Sequence, residues 1–509
     1  IQAVIPERDD QSANRKRRPL LPPGFVAAVL KGHSGLGLAF AAILYLVCLT
    51  GSIAVFAHEL QRWESAGMPR VDAVSPETVQ EAMAAAVAAT GEGVEHVYIT
   101  LPGDELPWLK VTTDVAGTTR HWIADAEGVL TEGAASPWTE FLTALHIHLH
   151  LPRSWGMFLV GLTGVALLSS LISGLLAHPR LFRDAFHLRF GGSRRLQEAD
   201  LHNRIGVWAL PFHFTVSLTG ALLGLTTLIV GVLGLAVFQG DTEKVYALFV
   251  PPHPADDPRP APLLDLVPMF AEVARHTDGR IKYIFLEHPT EMGGAALFNV
   301  DDGSQRLAHT DAYTFDREGK LFFSKRADEA NVGEGIIGSL STLHFGWFGG
   351  GLVKIAYGLL GLGLTYMAMN GVTIWLARRR DKGRPAPGWE RVWTATVWGQ
   401  PLALTGAAIV VLVVPAATQQ MALALWGVLT LAVLAAAAFL SVDVLSRWGR
   451  SLSGLLLAAL ALLHALLRMG PGADPMGWVV NAVLLVMAVL LLASIRFGRT
   501  VVDNQSQSS

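Results

Sequence analysis

The chain has 509 residues, 51% of them hydrophobic and 16% charged, with a formal net charge of −3. Its apolar stretches are too long for a soluble core and read as transmembrane helices. The one cysteine, Cys48, lies in the first of them, which excludes a disulfide framework and any cysteine-based zinc or iron–sulfur site.

Eight helices are predicted, at about 34–58, 138–178, 203–239, 336–377, 392–414, 421–443, 452–468 and 476–495. The first is long and lacks a small-residue cleavage site, so no cleavable signal is expected. The sequence opens on Ile1, and a few further residues are expected to precede it. Basic residues set the orientation. Arg15-Lys16-Arg17-Arg18 precedes the first helix, Arg180 to Arg195 separate the second from the third, and Arg378 to Arg384 follow the fourth. Arg447 and Arg450 follow the sixth, and Arg496 and Arg499 the eighth. With eight crossings all of these fall on one side, which the positive-inside rule makes cytoplasmic. Residues 1–33 and 496–509 are then cytoplasmic tails, and 179–202 and 378–391 cytoplasmic loops. Two long inserts, 59–137 and 240–335, lie on the opposite side, and 392–495 form a four-helix C-terminal region.

Each insert opens with a helical pattern, from the cap Ser75-Pro76-Glu77-Thr78 in one and over 262–276 in the other. Strand-like runs follow at 96–101, 108–113 and 121–124, and at 281–286 and 296–300. Both inserts also carry a hairpin turn of one kind, Asp125-Ala126-Glu127-Gly128 and Asp316-Arg317-Glu318-Gly319. They read as two copies of a small α+β module.

The helices match as well. His33, Gly37 and Thr50-Gly51 recur at identical spacing as His202, Gly206 and Thr219-Gly220. Leu145-His146 followed by Gly161, Gly164 and Gly174 matches Leu343-His344 followed by Gly358, Gly361 and Gly371. The chain up to Arg380 thus reads as a tandem, parallel duplication of helix, module, helix. Equivalent histidines on two membrane helices are what a metal or a haem requires of a bundle.

Together these residues, over roughly 25–382, resemble the PepSY-associated transmembrane family. In that pattern a His…Gly…Thr-Gly helix, a PepSY module and a Leu-His helix occur twice. The resemblance implies a polytopic α-helical protein of the bacterial inner membrane, with about eight transmembrane helices and two periplasmic PepSY-like modules. Members include ferric-siderophore reductases and iron-uptake factors. The resemblance therefore implies b-type haem, two per chain, and electron transfer to a periplasmic ferric siderophore or other ferric chelate. The family's histidines fall on His33, His146, His202 and His344. Symmetry would pair His33 with His202 on the cytoplasmic side and His146 with His344 on the periplasmic side.

The stretch from His344 to Arg378 would make roughly 50 Å of continuous helix across a core of about 30 Å. Without breaks at Pro152 and at Gly349-Gly350-Gly351, the two pairs stand too far apart for one electron hop. His213 lies about three turns beyond His202 on the same face of a continuous helix, so it is a reserve ligand, a stepping point or a hydrogen-bonded core histidine. His150, one turn from His146, is a second reserve ligand, whereas His148 points away. Lys354, in an apolar span, must meet a carboxylate, a haem propionate, substrate or water. His464, alone in the seventh helix, suggests a quinol pocket or a core histidine.

No G-x-G-x-x-G opens a helix after a strand, so electrons come from a separate cytoplasmic reductase, a soluble reductant or membrane quinol. The expected partners are thus the ferric chelate, that donor and lipid, with no nucleic acid, and no catalytic residue is assigned. Two other functions compete with haem-dependent reduction. One is a non-redox PepSY protein that binds peptide or regulates a periplasmic protease. The other is a metal or siderophore transporter.

Overall fold

A computed structural model describes residues 22–132, 136–177, 194–246, 250–304 and 306–506; side chains are described to residue 495, excepting Pro23 and Arg194. The basic residues 15–18, most of 180–195, Arg496 and Arg499 fall outside the described structure or its side chains. Two helices start the chain, α1 (Pro23–Ala39) and α2 (Ala41–Ala54), bent by 69° at Phe40 into one broken span. A short α3 (Ala57–Glu64) turns along the helix ends. The first insert follows as α4 (Pro76–Thr90), β1 (His96–Thr100), β2 (Leu109–Val115), β3 (Thr118–Ala124) and β4 (Leu130–Glu132). The chain re-enters the bundle as α5 (Pro137–His148) and α6 (Arg153–Ala177).

The same succession comes again. Helices α7 (Arg194–Trp208) and α8 (Leu210–Gly224) form a broken span bent by 72° at Ala209, the counterpart of Phe40 in the repeated motif. Then come α9 (Thr226–Val237), α10 (Thr242–Tyr246), α11 (Val267–His276), β5 (Arg280–Glu287), β6 (Ala295–Asp301), β7 (Thr310–Phe315) and β8 (Leu321–Lys325). Helices α12 (Val332–Phe345) and α13 (Gly350–Asp381) close the second succession. The C-terminal region is α14 (Pro387–Val413), α15 (Gln419–Ala436), α16 (Val442–Arg468) and α17 (Met476–Ser506). Among the described residues six helices are long and apolar enough to cross a membrane, and up to eight spans result if each bent pair counts once. The chain is a multi-pass membrane protein.

Besides the first, three further expected spans are interrupted. The helix expected over 138–178 stops at His148, where Leu149 and His150 take φ of 55° and 53°, and restarts after Pro152. The helix expected over 336–377 stops at Gly346 (φ 71°) and restarts past Gly349 (φ 70°), glycine being the residue that adopts this backbone without strain. The helix expected over 203–239 breaks at Ala209, just before Pro211, and again at Leu225.

The inserts share one antiparallel sheet of order β4-β3-β2-β1-β5-β6-β7-β8, joined where β1 pairs with β5. Alternation along the strands sends Val97, Ile99, Val111, Ile284, Leu286 and Phe298 to one face, where α4 and α11 cover them. Ser75 caps α4 by accepting a hydrogen bond from the Thr78 N–H. The two Asp…Gly turns close their hairpins as read, with Gly128 and Gly319 at φ of 81° and 74°. The opposite sheet face looks toward the helix ends. Burial lowers the pKa of Lys110 on that face, and the Glu140 carboxylate of α5 opposes the shift.

The C-terminal helices dock mainly on the first succession. Arg62 of α3 forms a bidentate pair with Asp474 at 2.8 and 2.9 Å. Trp63 donates to Asn481 at 2.9 Å, while its carbonyl bonds His464 Nε2 at 2.7 Å and its ring stacks on that imidazole. His464 is a packing residue at this joint. Tyr45 and Trp138 donate to the carbonyls of Val397 and Leu404 in α14.

Candidate functional site

Breaking the spans has a direct consequence for two histidines. Helices α5 and α12 are short, and each ends by placing its histidine against a neighbouring helix. His146 Nδ1 lies 3.0 Å from the Val47 carbonyl of α2, so that nitrogen carries the proton and donates. His344 Nδ1 lies 3.0 Å from Thr219 Oγ1 of α8. The Thr219 hydroxyl spends its own proton on the Thr215 carbonyl at 2.6 Å, so here too the imidazole donates. In both rings the lone pair is left on Nε2, the tautomer that a metal-ligating histidine requires.

The rings of His146 and His344 face one another with centroids 6.2 Å apart and planes 24° from parallel. The pair could together hold a metal or a cofactor between the two helices. Around it lies a cavity of about 550 Å³, lined among others by Gly51, Gly220, Arg153, Trp347 and Tyr357, within the roughly 300–1,000 Å³ of cofactor pockets.

The Thr-Gly motif gains its meaning from these contacts. A Cβ on Gly51 would stand 2.6 Å from His146 Cε1, and one on Gly220 would stand 2.8 Å from His344 Cε1. Each glycine is the bare patch of helix on which the other helix's imidazole lies.

At the other end of the bundle, His33 and His202 line a second cavity of about 220 Å³. His33 Nδ1 bonds the Ser170 carbonyl at 2.9 Å and approaches Ser173 Oγ at 3.3 Å. His33 packs over Gly174 and His202 over Gly371, with 3.4 and 3.7 Å from an added Cβ to the ring carbons. Arg378 lines this cavity as Arg153 lines the other. Leu167 of α6 and Leu364 of α13 line both cavities, so one layer of side chains divides them. The expected separation by a full helix length does not occur, because α5 and α12 leave the axes of α6 and α13.

The rings of His146 and His344 therefore meet, His33 and His202 line one cavity, and the reserve residues do not join them. His213 is fully buried in α8 but lines neither cavity, since the bend at Ala209 removes it from the helical face of His202. His150 lies beyond the end of α5, bonds the Phe141 carbonyl through Nε2 at 2.9 Å and stacks on the Phe141 ring. His148 bonds the Leu151 carbonyl within the break. Lys354 meets carboxylates, Glu59 at 3.0 Å and Glu105 at 3.2 Å, and lines neither cavity. Its costly charge is compensated inside the protein by these carboxylates. The guanidinium side chains that line the cavities are those of Arg153 and Arg378. Sequence reading passed over both, the first at a helix start and the second among arginines assigned to orientation alone.

Two comparisons bear on this geometry. The sequence pattern of the family described as the PepSY-associated TM region matches residues 30–378. An uncharacterized protein of Pseudomonas aeruginosa is 30% identical over 254 residues, 47% of this chain and 64% of that relative, so the chain spans under two thirds of its length.

Proposed function

The chain belongs to the PepSY-associated transmembrane family, and from that premise we propose a haem-b reductase that carries electrons across the membrane to a ferric chelate on the module side. The single observation behind this reading is the spacing of His146 and His344, 6.2 Å between near-parallel rings whose Nδ1 atoms are already engaged.

In this reading the chain up to Arg380 is a tandem duplication, the membrane is a bacterial inner membrane, and the modules are periplasmic with both termini in the cytoplasm. His146 and His344 hold one haem, and His33 and His202 hold the other. Haem supplies one-electron exchange at its iron when bound. The rest is the work of the chain. The Val47 carbonyl and the Thr219 hydroxyl fix the tautomers of the outer pair and keep both rings oriented. Arg153 and Arg378 each offer a guanidinium to a carboxylate such as a propionate. Leu167 and Leu364, which line both cavities, hold the two sites apart. The Lys354, Glu59 and Glu105 ion pairs tie the first module to the head of α13 beside the outer cavity. The acceptor is a ferric siderophore or similar chelate, which takes one electron and releases Fe(II). The donor is quinol or a separate reductase.

The test is optical. Protein from haem-replete cells should show a Soret band that shifts on dithionite reduction, and adding a ferric chelate should return the oxidised spectrum. Absence of the band would reject the reading in favour of a non-redox peptide-binding or transport role. A band with no reoxidation would reject the acceptor.

A further inference from the structure

The sheet face directed at the helix ends carries a row of polar groups where the two inserts join. His96 of β1 stands opposite Asp114 of β2 on one side and opposite Glu287 of β5 on the other. Neighbouring Val97, Thr113 and Leu286 point into the core, so the three polar side chains share the open face. Directly paired residues keep their Cβ atoms about 4.5–5.5 Å apart, so the hydrogen-bond register itself holds this row together.

Glu95 completes the group. The donor atoms of Glu95, His96 and Asp114 all lie within 4.8 Å of one another, and among the described residues no other such group of three converges. The backbone pins it from both inserts. Glu95 N–H donates to the Asp114 carbonyl at 3.0 Å, and His288 N–H donates to the Glu95 carbonyl at 2.7 Å. His96 is held by stacking on Phe285 at 5.5 Å, and the His288 ring stands 6.0 Å from it. His288 is kept at a φ of 46°, a left-handed backbone that non-glycine residues seldom adopt. Elsewhere on the inserts carboxylates are neutralised, Glu132 by Arg120 and Asp301 by Lys282 for example. Among the described residues neither Glu95 nor Asp114 forms an ion pair with lysine or arginine.

We propose that Glu95, His96 and Asp114 form a binding site for a divalent transition cation at the seam of the two inserts. One imidazole and two carboxylates form a mixed N,O donor set of the kind that takes Zn²⁺, Fe²⁺ or Mn²⁺. Ligands about 2.1 Å from an ion stand roughly 3–4 Å from each other, and rotation of the exposed Glu95 side chain closes the remaining gap. His288 or Glu287 is placed to supply a further ligand from the second insert, so that the ion would cross-link the two halves of the sheet. The site is independent of the haem reading, since none of its residues lines either cavity.

Calorimetric titration of Zn²⁺ into the chelator-washed full chain tests this directly. One saturable site is expected, weakened about tenfold or more in Glu95→Gln and lost in His96→Ala and Asp114→Asn. The Glu95 side chain is exposed, so its variant folds whatever the cost of the other two. His344→Ala should bind Zn²⁺ as the unaltered chain does, which separates the sheet site from zinc taken by cavity histidines. No saturable binding, full retention in both Glu95→Gln and His96→Ala, or loss in His344→Ala alone would overturn the proposal.

Discussion

A single methyl group decides whether an imidazole can lie on a helix in this protein. An added Cβ at Gly51 or Gly220 would come within 2.8 Å of a histidine ring carbon, whereas one at Gly37 would meet nothing within 4 Å. Gly51→Ala and Gly220→Ala should therefore each empty the outer cavity of its cofactor, cutting haem content by about half, while Gly37→Ala leaves it unchanged; pyridine haemochrome assay reads the difference. The histidines themselves were legible, because a ligand must be a particular residue type at a repeated position. The glycines were visible only as spacing. Their role depends on which neighbouring helix comes to lie on them, and one strand of sequence does not record that. Another residue-scale expectation concerns Glu105. A hydrogen bond from His58 holds its carboxyl down at about 2, with the charges of His58 and Lys354 helping against burial. A carboxyl near 4.3 when unfolded and depressed when folded contributes stability above about pH 4.3, lost as pH falls toward 2. Its half-exposure keeps that contribution small through solvent screening. Glu105→Gln should lower the melting temperature slightly at neutral pH and leave it unchanged near pH 2, so that the acid limb flattens in this window.

Secondary elements carry the departures from the simplest reading. The breaks at Pro152 and at Gly349 were announced by a proline and a glycine run that disfavour a continuous helix, and they are where the chain turns. The bend at Phe40 was not legible: an apolar run of strong helix formers surrounds it, and tertiary packing overrides that propensity. The equivalent bend at Ala209 likewise takes His213 off the helical face of His202 and leaves it buried in α8. Among the C-terminal elements, the joint between α3 and the α16–α17 pair rests on Arg62 and Asp474, whose side chain is almost wholly buried. Asp474→Ala leaves a largely buried guanidinium without its partner, at a cost of about 3 kcal/mol. A lowered melting temperature with earlier proteolytic release of the C-terminal helices is the expected outcome, and an unchanged melt would argue against this joint.

At the scale of the whole molecule, the two cavities sit back to back inside one bundle, divided by Leu167 and Leu364. A sheet shared by both inserts roofs one end, and four further helices brace the first half. The paired histidine motifs foretold two sites, too far apart unless the helices broke at Pro152 and at Gly349 to Gly351, and those breaks are present. Folding α5 and α12 aside brings the two cavities together around Leu167 and Leu364. If each histidine pair holds one haem, the ratio of haem b to polypeptide in protein from haem-replete cells should be near two. It should fall to near one in His146→Ala and in His202→Ala, and to near zero in the double variant. A chain without haem, or one whose haem content ignores these substitutions, would rule the pairing out.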